Sequence, residues 1–227
     1  MSLTPTIIGS LEKVGYDKSF SLIGAGREEE VNVEQIKQNF LQRTHFDQLE
    51  ISGNKIFKPV GLRLDFGGIG KGYLIDLLST EIFSNVENYW ISIGGDLVVK
   101  GEDKPGESWK IEVQNPHQPE QEIFSVNTFG SKMGIATSGI FKRKGRSGNF
   151  EWHHLIDPRT GLPVENNILA VTALSPGATR ADVFAKTVLI LGEVEGLKFL
   201  EQHTDSAAII FLKNDEVIYS KSALKFL

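Results

Sequence analysis

Apolar residues recur along this chain with two different periods, and the switches between them mark its elements. Between 33 and 43 the spacing predicts a helix that Asn32 caps. The stretch GKGYLIDLLSTEIF, residues 70 to 83, predicts a second helix with Leu74, Leu77, Leu78 and Ile82 on one face, and it opens straight out of a glycine cluster. Tyr89 to Val99, Trp109 to Gln114, Glu122 to Asn127 and Lys132 to Thr137 alternate or run apolar as strands do, with Gly, Pro and Asn turns between them. Ile168 to Leu174, Ser206 to Leu212 and Glu216 to Tyr219 add further strands, the last two joined across Lys213, Asn214 and Asp215. Residues 181 to 191 and 194 to 203 read as helices. Strand follows strand through the middle, so the pattern predicts an α+β fold with a mixed, largely antiparallel sheet and flanking helices.

A length of 227 residues lies within one large domain, so a single compact domain over 1–227 is the expectation. The formal net charge of −5 carries no basic excess, which argues against a nucleic-acid partner or an anionic membrane surface. With no cysteine, disulfides, thiolate nucleophiles and cysteine-bearing zinc sites are excluded. No apolar run approaches the roughly 20 residues of a membrane span, and MSLTPTIIGS lacks a basic segment followed by an apolar one. Neither observation assigns a compartment.

The candidate chemistry begins at LDFGGIGKG, residues 64 to 72. A Walker A loop would need glycine where Asp65 stands and Ser or Thr where Gly72 stands, and G-x-G-x-x-G fails at Tyr73 and Ile75. Two readings survive: a tight strand-to-helix turn, or a backbone cradle whose N–H groups meet an anion at a helix start. Four further clusters lie at predicted strand or helix ends. Ser92-Ile93-Gly94-Gly95-Asp96 is a β-bulge or a close approach of backbone to ligand. Ala136-Thr137-Ser138-Gly139 carries two hydroxyls and leads to Lys142, Arg143, Lys144 and Arg146 at an expected hairpin tip, suited to phosphate or simply solvated. His154-Leu155-Ile156-Asp157-Pro158-Arg159-Thr160-Gly161 places a histidine beside an Asp-Pro turn, and either His153 or His154 suits a general base. Thr179-Arg180-Ala181-Asp182 opens a helix, where Asp182 either completes a capping box or offers a carboxylate to Mg²⁺.

In order and spacing these clusters resemble the ApbE-type flavin transferases, or FAD:protein FMN transferases. The family's Asp-Leu-Gly-Gly-Ile-Ala-Lys-Gly-Tyr is similar to Asp65 to Tyr73, its Gly-Gly-Asp to Gly94 to Asp96, and its Ala-Thr-Ser-Gly-x-Tyr-x-Arg to Ala136 to Arg143. Its His-x-x-Asp-Pro-x-Thr-Gly is similar to His154 to Gly161, its Ala-Asp helix start to Ala181-Asp182, and an early segment to Val14 to Phe20. The resemblance implies an ApbE/T-fold-like domain that moves FMN from FAD to a Thr or Ser hydroxyl of an acceptor protein, releases AMP and uses Mg²⁺. It further implies that Asp65, Gly67, Gly68, Lys71, Gly94, Gly95, Asp96, Thr137, Ser138, Gly139 and Arg143 line the FAD site. Asp182 and a Gly68 to Gly70 carbonyl would hold the metal, His154 would be the base and Asp157 would orient its turn.

Two departures from the family pattern stand out. Members carry an upstream segment with a Met-Gly-Thr strand, whereas Met1-Ser2-Leu3 directly precedes Pro5-Thr6, so a shortened chain is expected. Lys186 stands where the family has Thr, four residues after the helix aspartate. Its ammonium either pairs with Asp182 in the cation's place, or points away and leaves the metal to Thr187 or backbone. Beside the transferase stand an FAD pyrophosphatase giving FMN and AMP, an FAD- or nucleotide-binding module without turnover, and a purely structural role.

Overall fold

The computed structural model describes residues 4–14, 16, 31–41, 46–117, 120 and 122–227. Its helices are α1 (Ile8–Val14), α2 (Val33–Leu41), α3 (Gly70–Glu81), α4 (Ala178–Leu191) and α5 (Glu193–Glu201). Its strands are β1 (Glu50–Ser52), β2 (Lys55–Phe57), β3 (Tyr89–Ile93), β4 (Asp96–Lys100), β5 (Glu102–Lys104), β6 (Glu107–Ser108) and β7 (Lys110–Gln114), followed by β8 (Glu122–Asn127), β9 (Met133–Gly139), β10 (Lys144–Ser147), β11 (Phe150–His153), β12 (Ile168–Ser175), β13 (Ala207–Leu212) and β14 (Val217–Tyr219). Met1 to Leu3, and the segment Val14 to Phe20 apart from Val14 and Tyr16, lie outside the described residues, as do 42 and 43 of the helix expected over 33 to 43. Contacts divide the chain into two units, residues 1–66 with 142–165 and residues 67–141 with 166–227.

In the larger unit a six-stranded sheet runs in the order β14-β13-β12-β9-β4-β3, every neighbouring pair antiparallel. Side-chain alternation gives the sheet two apolar faces. Leu97, Val99, Ile135, Leu174, Ile209 and Phe211 cluster with Ile111, Val113 and Val126 of the β7–β8 pair. Val98, Tyr89 and Ile91 instead join Ile75 of α3 and Ala178 of α4. The join across Lys213 to Asp215 is the expected antiparallel one, with Asp215 at φ +68°.

Two expectations in this unit are corrected. Tyr89 to Val99 is not one strand but the hairpin β3–β4, because Ile93 pairs with Asp96 and the intervening Gly94 and Gly95 have φ of +59° and +93°. Positive φ at both central positions is the turn whose twist matches that of its strands, so the pair is a hairpin turn and not a bulge. The buried face of α3 is Gly72, Ile75 and Ser79, while Leu74, Leu77 and Ile82 are exposed. Gly72 sets that face, since a methyl group there would lie 2.6 Å from Thr179 Cα, a distance only bare backbone allows.

In the smaller unit Asn32 caps α2 as expected, its Oδ1 accepting the Gln35 N–H at 2.9 Å. Leu11, Val14 and Ile36 pack with Trp152 and Ile156, and Tyr16 meets the Trp152 ring edge-on. Lys144 and Arg146 lie along β10 and not at a hairpin tip. Ser147 pairs with Phe150, so the tip is Gly148-Asn149, with Gly148 at φ +55°.

Candidate functional site

α4 begins three residues before the predicted start, and the reason sits on α3. Asp76 accepts the Ala178 N–H at 2.9 Å and the Thr179 N–H at 2.8 Å, so a carboxylate from another helix fills the N-terminal donors. Gly177 leaves room for it, since a methyl there would stand 3.0 Å from Asp76 Oδ2. Thr179 and Asp182 therefore both lie inside α4, and the expected capping box is not formed. Sequence reading missed Asp76, although a lone acid in an otherwise apolar helix interior was the available signal.

Freed from any capping role, Asp182 is 1% exposed and faces Lys186, one turn on, which is 8% exposed. The Lys186 ammonium donates to Asp182 Oδ1, and Oδ2 has no hydrogen-bond partner among the described residues. The lysine stem runs beside the glycine loop at the start of α3: a methyl at Gly68 would meet Lys186 Cδ at 3.8 Å. Lys71, in the first turn of α3, donates to Asp96 at the start of β4. Its stem lies against Gly94, where a methyl would meet Lys71 Cδ at 3.7 Å. Burial and the neighbouring Asp182 push the Asp96 carboxyl above the usual carboxylate range, against the opposing pull of Lys71 and Lys186. The larger unit thus brings Gly68, Lys71, Gly94, Asp96, Asp182 and Lys186 into one neighbourhood, two carboxylates each holding an ammonium and two glycines admitting the lysine stems. Gly95 completes the hairpin turn, and Gly67 lies in the turn before α3.

The Mg²⁺ implied by the resemblance does not fit this arrangement. Two ammoniums already balance two carboxylates. A divalent cation on Asp182 Oδ2 would stand about 5 Å from the Lys186 ammonium and be repelled by roughly 6 kcal/mol at an effective dielectric of 20. Among the described residues no group of three or more His, Cys, Asp or Glu side chains could hold a metal ion.

The hydroxyl cluster lies on the β9–β12 pair. Thr137 Oγ1 and Thr172 Oγ1 lie 2.8 Å apart across the β9–β12 pair, and Ser138 is buried within the same ladder opposite Val171. A methyl at Gly139 would collide with the Phe141 ring at 2.5 Å.

Asp65, Arg143, His154 and Asp157 belong to the smaller unit. The Asp65 N–H donates to Pro5 O at 2.7 Å. Arg143 O accepts the His154 N–H at 3.3 Å and faces His154 Nδ1 at 3.4 Å. His153 Nε2 stands 2.9 Å from Val164 O, and its Nδ1 accepts the Leu155 N–H at 3.3 Å. Those bonds occupy both ring nitrogens of His153. Asp157 binds the Arg159 guanidinium through both oxygens, at 2.9, 3.0 and 2.7 Å, and accepts the Arg159 N–H at 2.8 Å. The turn closes on Gly161, whose φ of +75° disfavours a side chain and where a methyl would lie 2.3 Å from Phe40 Cγ.

Residues 11–211 match the model of the ApbE family. A FAD:protein FMN transferase of Vibrio cholerae is 29% identical over 186 residues, covering 80% of this chain and 55% of its own length. One of Klebsiella pneumoniae is 31% identical over 161 residues, covering 70% of this chain and 49% of its own. The chain therefore spans about half the length of the curated relatives it matches. The solved flavin transferase ApbE of Vibrio cholerae superposes with a TM-score of 0.77 at 26% identity, over 100% of this chain and 71% of that one. An ApbE protein of Thermotoga maritima has the same fold, with a TM-score of 0.81 at 23% identity over 98% of this chain and 71% of its own.

Proposed function

The chain belongs to the ApbE family, and from that premise we propose that it transfers FMN from FAD to a Thr or Ser hydroxyl of an acceptor protein. The hydroxyl oxygen attacks the phosphorus on the riboflavin side of the diphosphate. A phosphoester bond forms, the bond from that phosphorus to the bridging oxygen breaks, and AMP leaves with the oxygen. In this reading His154 takes the hydroxyl proton and Asp157 holds the turn that carries it. The glycines at 67, 68, 94 and 95, with Lys71, Asp96, Thr137, Ser138, Gly139, Arg143 and Asp65, serve the dinucleotide in this reading. Mg²⁺ is left out of this reading, because Lys186 engages the Asp182 carboxylate.

The observation that carries the reading is the match of residues 11–211 to a family whose relatives are named FAD:protein FMN transferase. Incubation with FAD and an acceptor domain, followed by chromatography of the nucleotides, tests it. AMP released in step with loss of FAD, and without free FMN, is expected. Free FMN alongside AMP would identify a pyrophosphatase, and unchanged FAD would leave a binding module.

A further inference from the structure

Lys186 and Asp182 form a buried pair that the transfer reaction does not require in this form. Three observations bear on what the lysine does. Its ammonium sits on Asp182 Oδ1, where a cation bound by this helix carboxylate would otherwise stand. Its stem packs along Gly68, so the charge is carried beside the turn that opens α3. Asp182 Oδ2 is a buried acceptor with no hydrogen-bond partner among the described residues. An ammonium has three N–H donors and is a compact charge that binds phosphate. The α3 start adds backbone N–H groups, and no side chain caps them.

We propose that Lys186 stands in for a divalent cation, so that this chain holds the diphosphate of a dinucleotide such as FAD without metal. The proposal rests on the flavin-transfer reading for the identity of the ligand. It differs from that reading in its claim, which concerns the source of the positive charge.

The test uses the unaltered chain. FAD is titrated in chelator and again in Mg²⁺, with flavin fluorescence as the signal. Equal affinity in the two buffers, within about twofold, is expected. Mn²⁺ titrated into the nucleotide-free chain and followed by electron paramagnetic resonance is expected to remain free. For Lys186→Thr, FAD binding is expected to tighten by about tenfold or more when Mg²⁺ replaces chelator. FAD binding by the unaltered chain that needs Mg²⁺, or stoichiometric Mn²⁺ that Asp182→Asn releases, would overturn the inference while leaving flavin transfer standing. Absence of FAD binding in both buffers would overturn the flavin reading and the inference with it.

Discussion

Lys186 and Asp182 face each other one turn apart on α4, both buried, with the ammonium on one carboxylate oxygen and, among the described residues, no hydrogen-bond partner on the other. Removing only the lysine charge leaves a carboxylate in the interior without its partner. Lys186→Met is expected to cost about 3–5 kcal/mol in urea unfolding. The double change Asp182→Asn with Lys186→Met is expected to recover most of that loss, a coupling read directly from the cycle. Additive costs would show that the two residues do not form a working pair.

Asp76 joins α3 to the first turn of α4 through two backbone donors. Asp76→Ala is expected to destabilise the chain by about 2 kcal/mol, from the range for caps and for hydrogen bonds to charged groups. Asp76→Asn keeps one acceptor and is expected to lose about half as much. Denaturant midpoints at unchanged slope measure both, and an Asp76→Ala midpoint equal to the parent's would remove the residue from this role.

Asp96 supplies a pH dependence. Burial first, then the nearby Asp182, raises its pKa, so the folded chain holds this proton more tightly than the unfolded chain does. Its contribution to stability is therefore present below the ordinary carboxylate pKa and is lost as pH rises through the raised folded value. Asp96→Asn cannot ionise, so its stability relative to the parent is expected to improve as pH rises across that acidic window. A difference that stays flat with pH would contradict the assignment.

His153 and His154 separate by what their loss affects. His153→Ala removes the bonds to Val164 O and Leu155 N–H and is expected to lower the melting temperature. His154→Ala is expected to slow transfer by about 10²–10⁴-fold, the range for a general base. Reversed effects would exchange the two roles.

Local signals were readable in the sequence where the cause was local. Asn32 capped α2 because its partner lies three residues away, and β13–β14 closed because Asp215 tolerates a positive φ in a short turn. Tyr89 to Val99 reads as one run, since β3 alternates buried and exposed residues, β4 is largely buried, and only paired glycines mark the fold-back. The face of α3 was misread because hydrophobic spacing records size, whereas close helix packing was decided by an absent side chain at Gly72. Asp76 escaped notice because its partners lie 102 and 103 residues away. The pairing of Asp182 with Lys186 was legible as one of two arrangements, and the buried contact of the Lys186 ammonium with Asp182 selects between them.

Covalent flavin transfer, as proposed, is read from the intact mass of the acceptor. After incubation of this chain with FAD and an acceptor domain, the acceptor is expected to gain the mass of FMN less water, and an acceptor with its target Thr or Ser changed to Ala is expected to gain nothing. An acceptor of unchanged mass while FAD is consumed would contradict the claim.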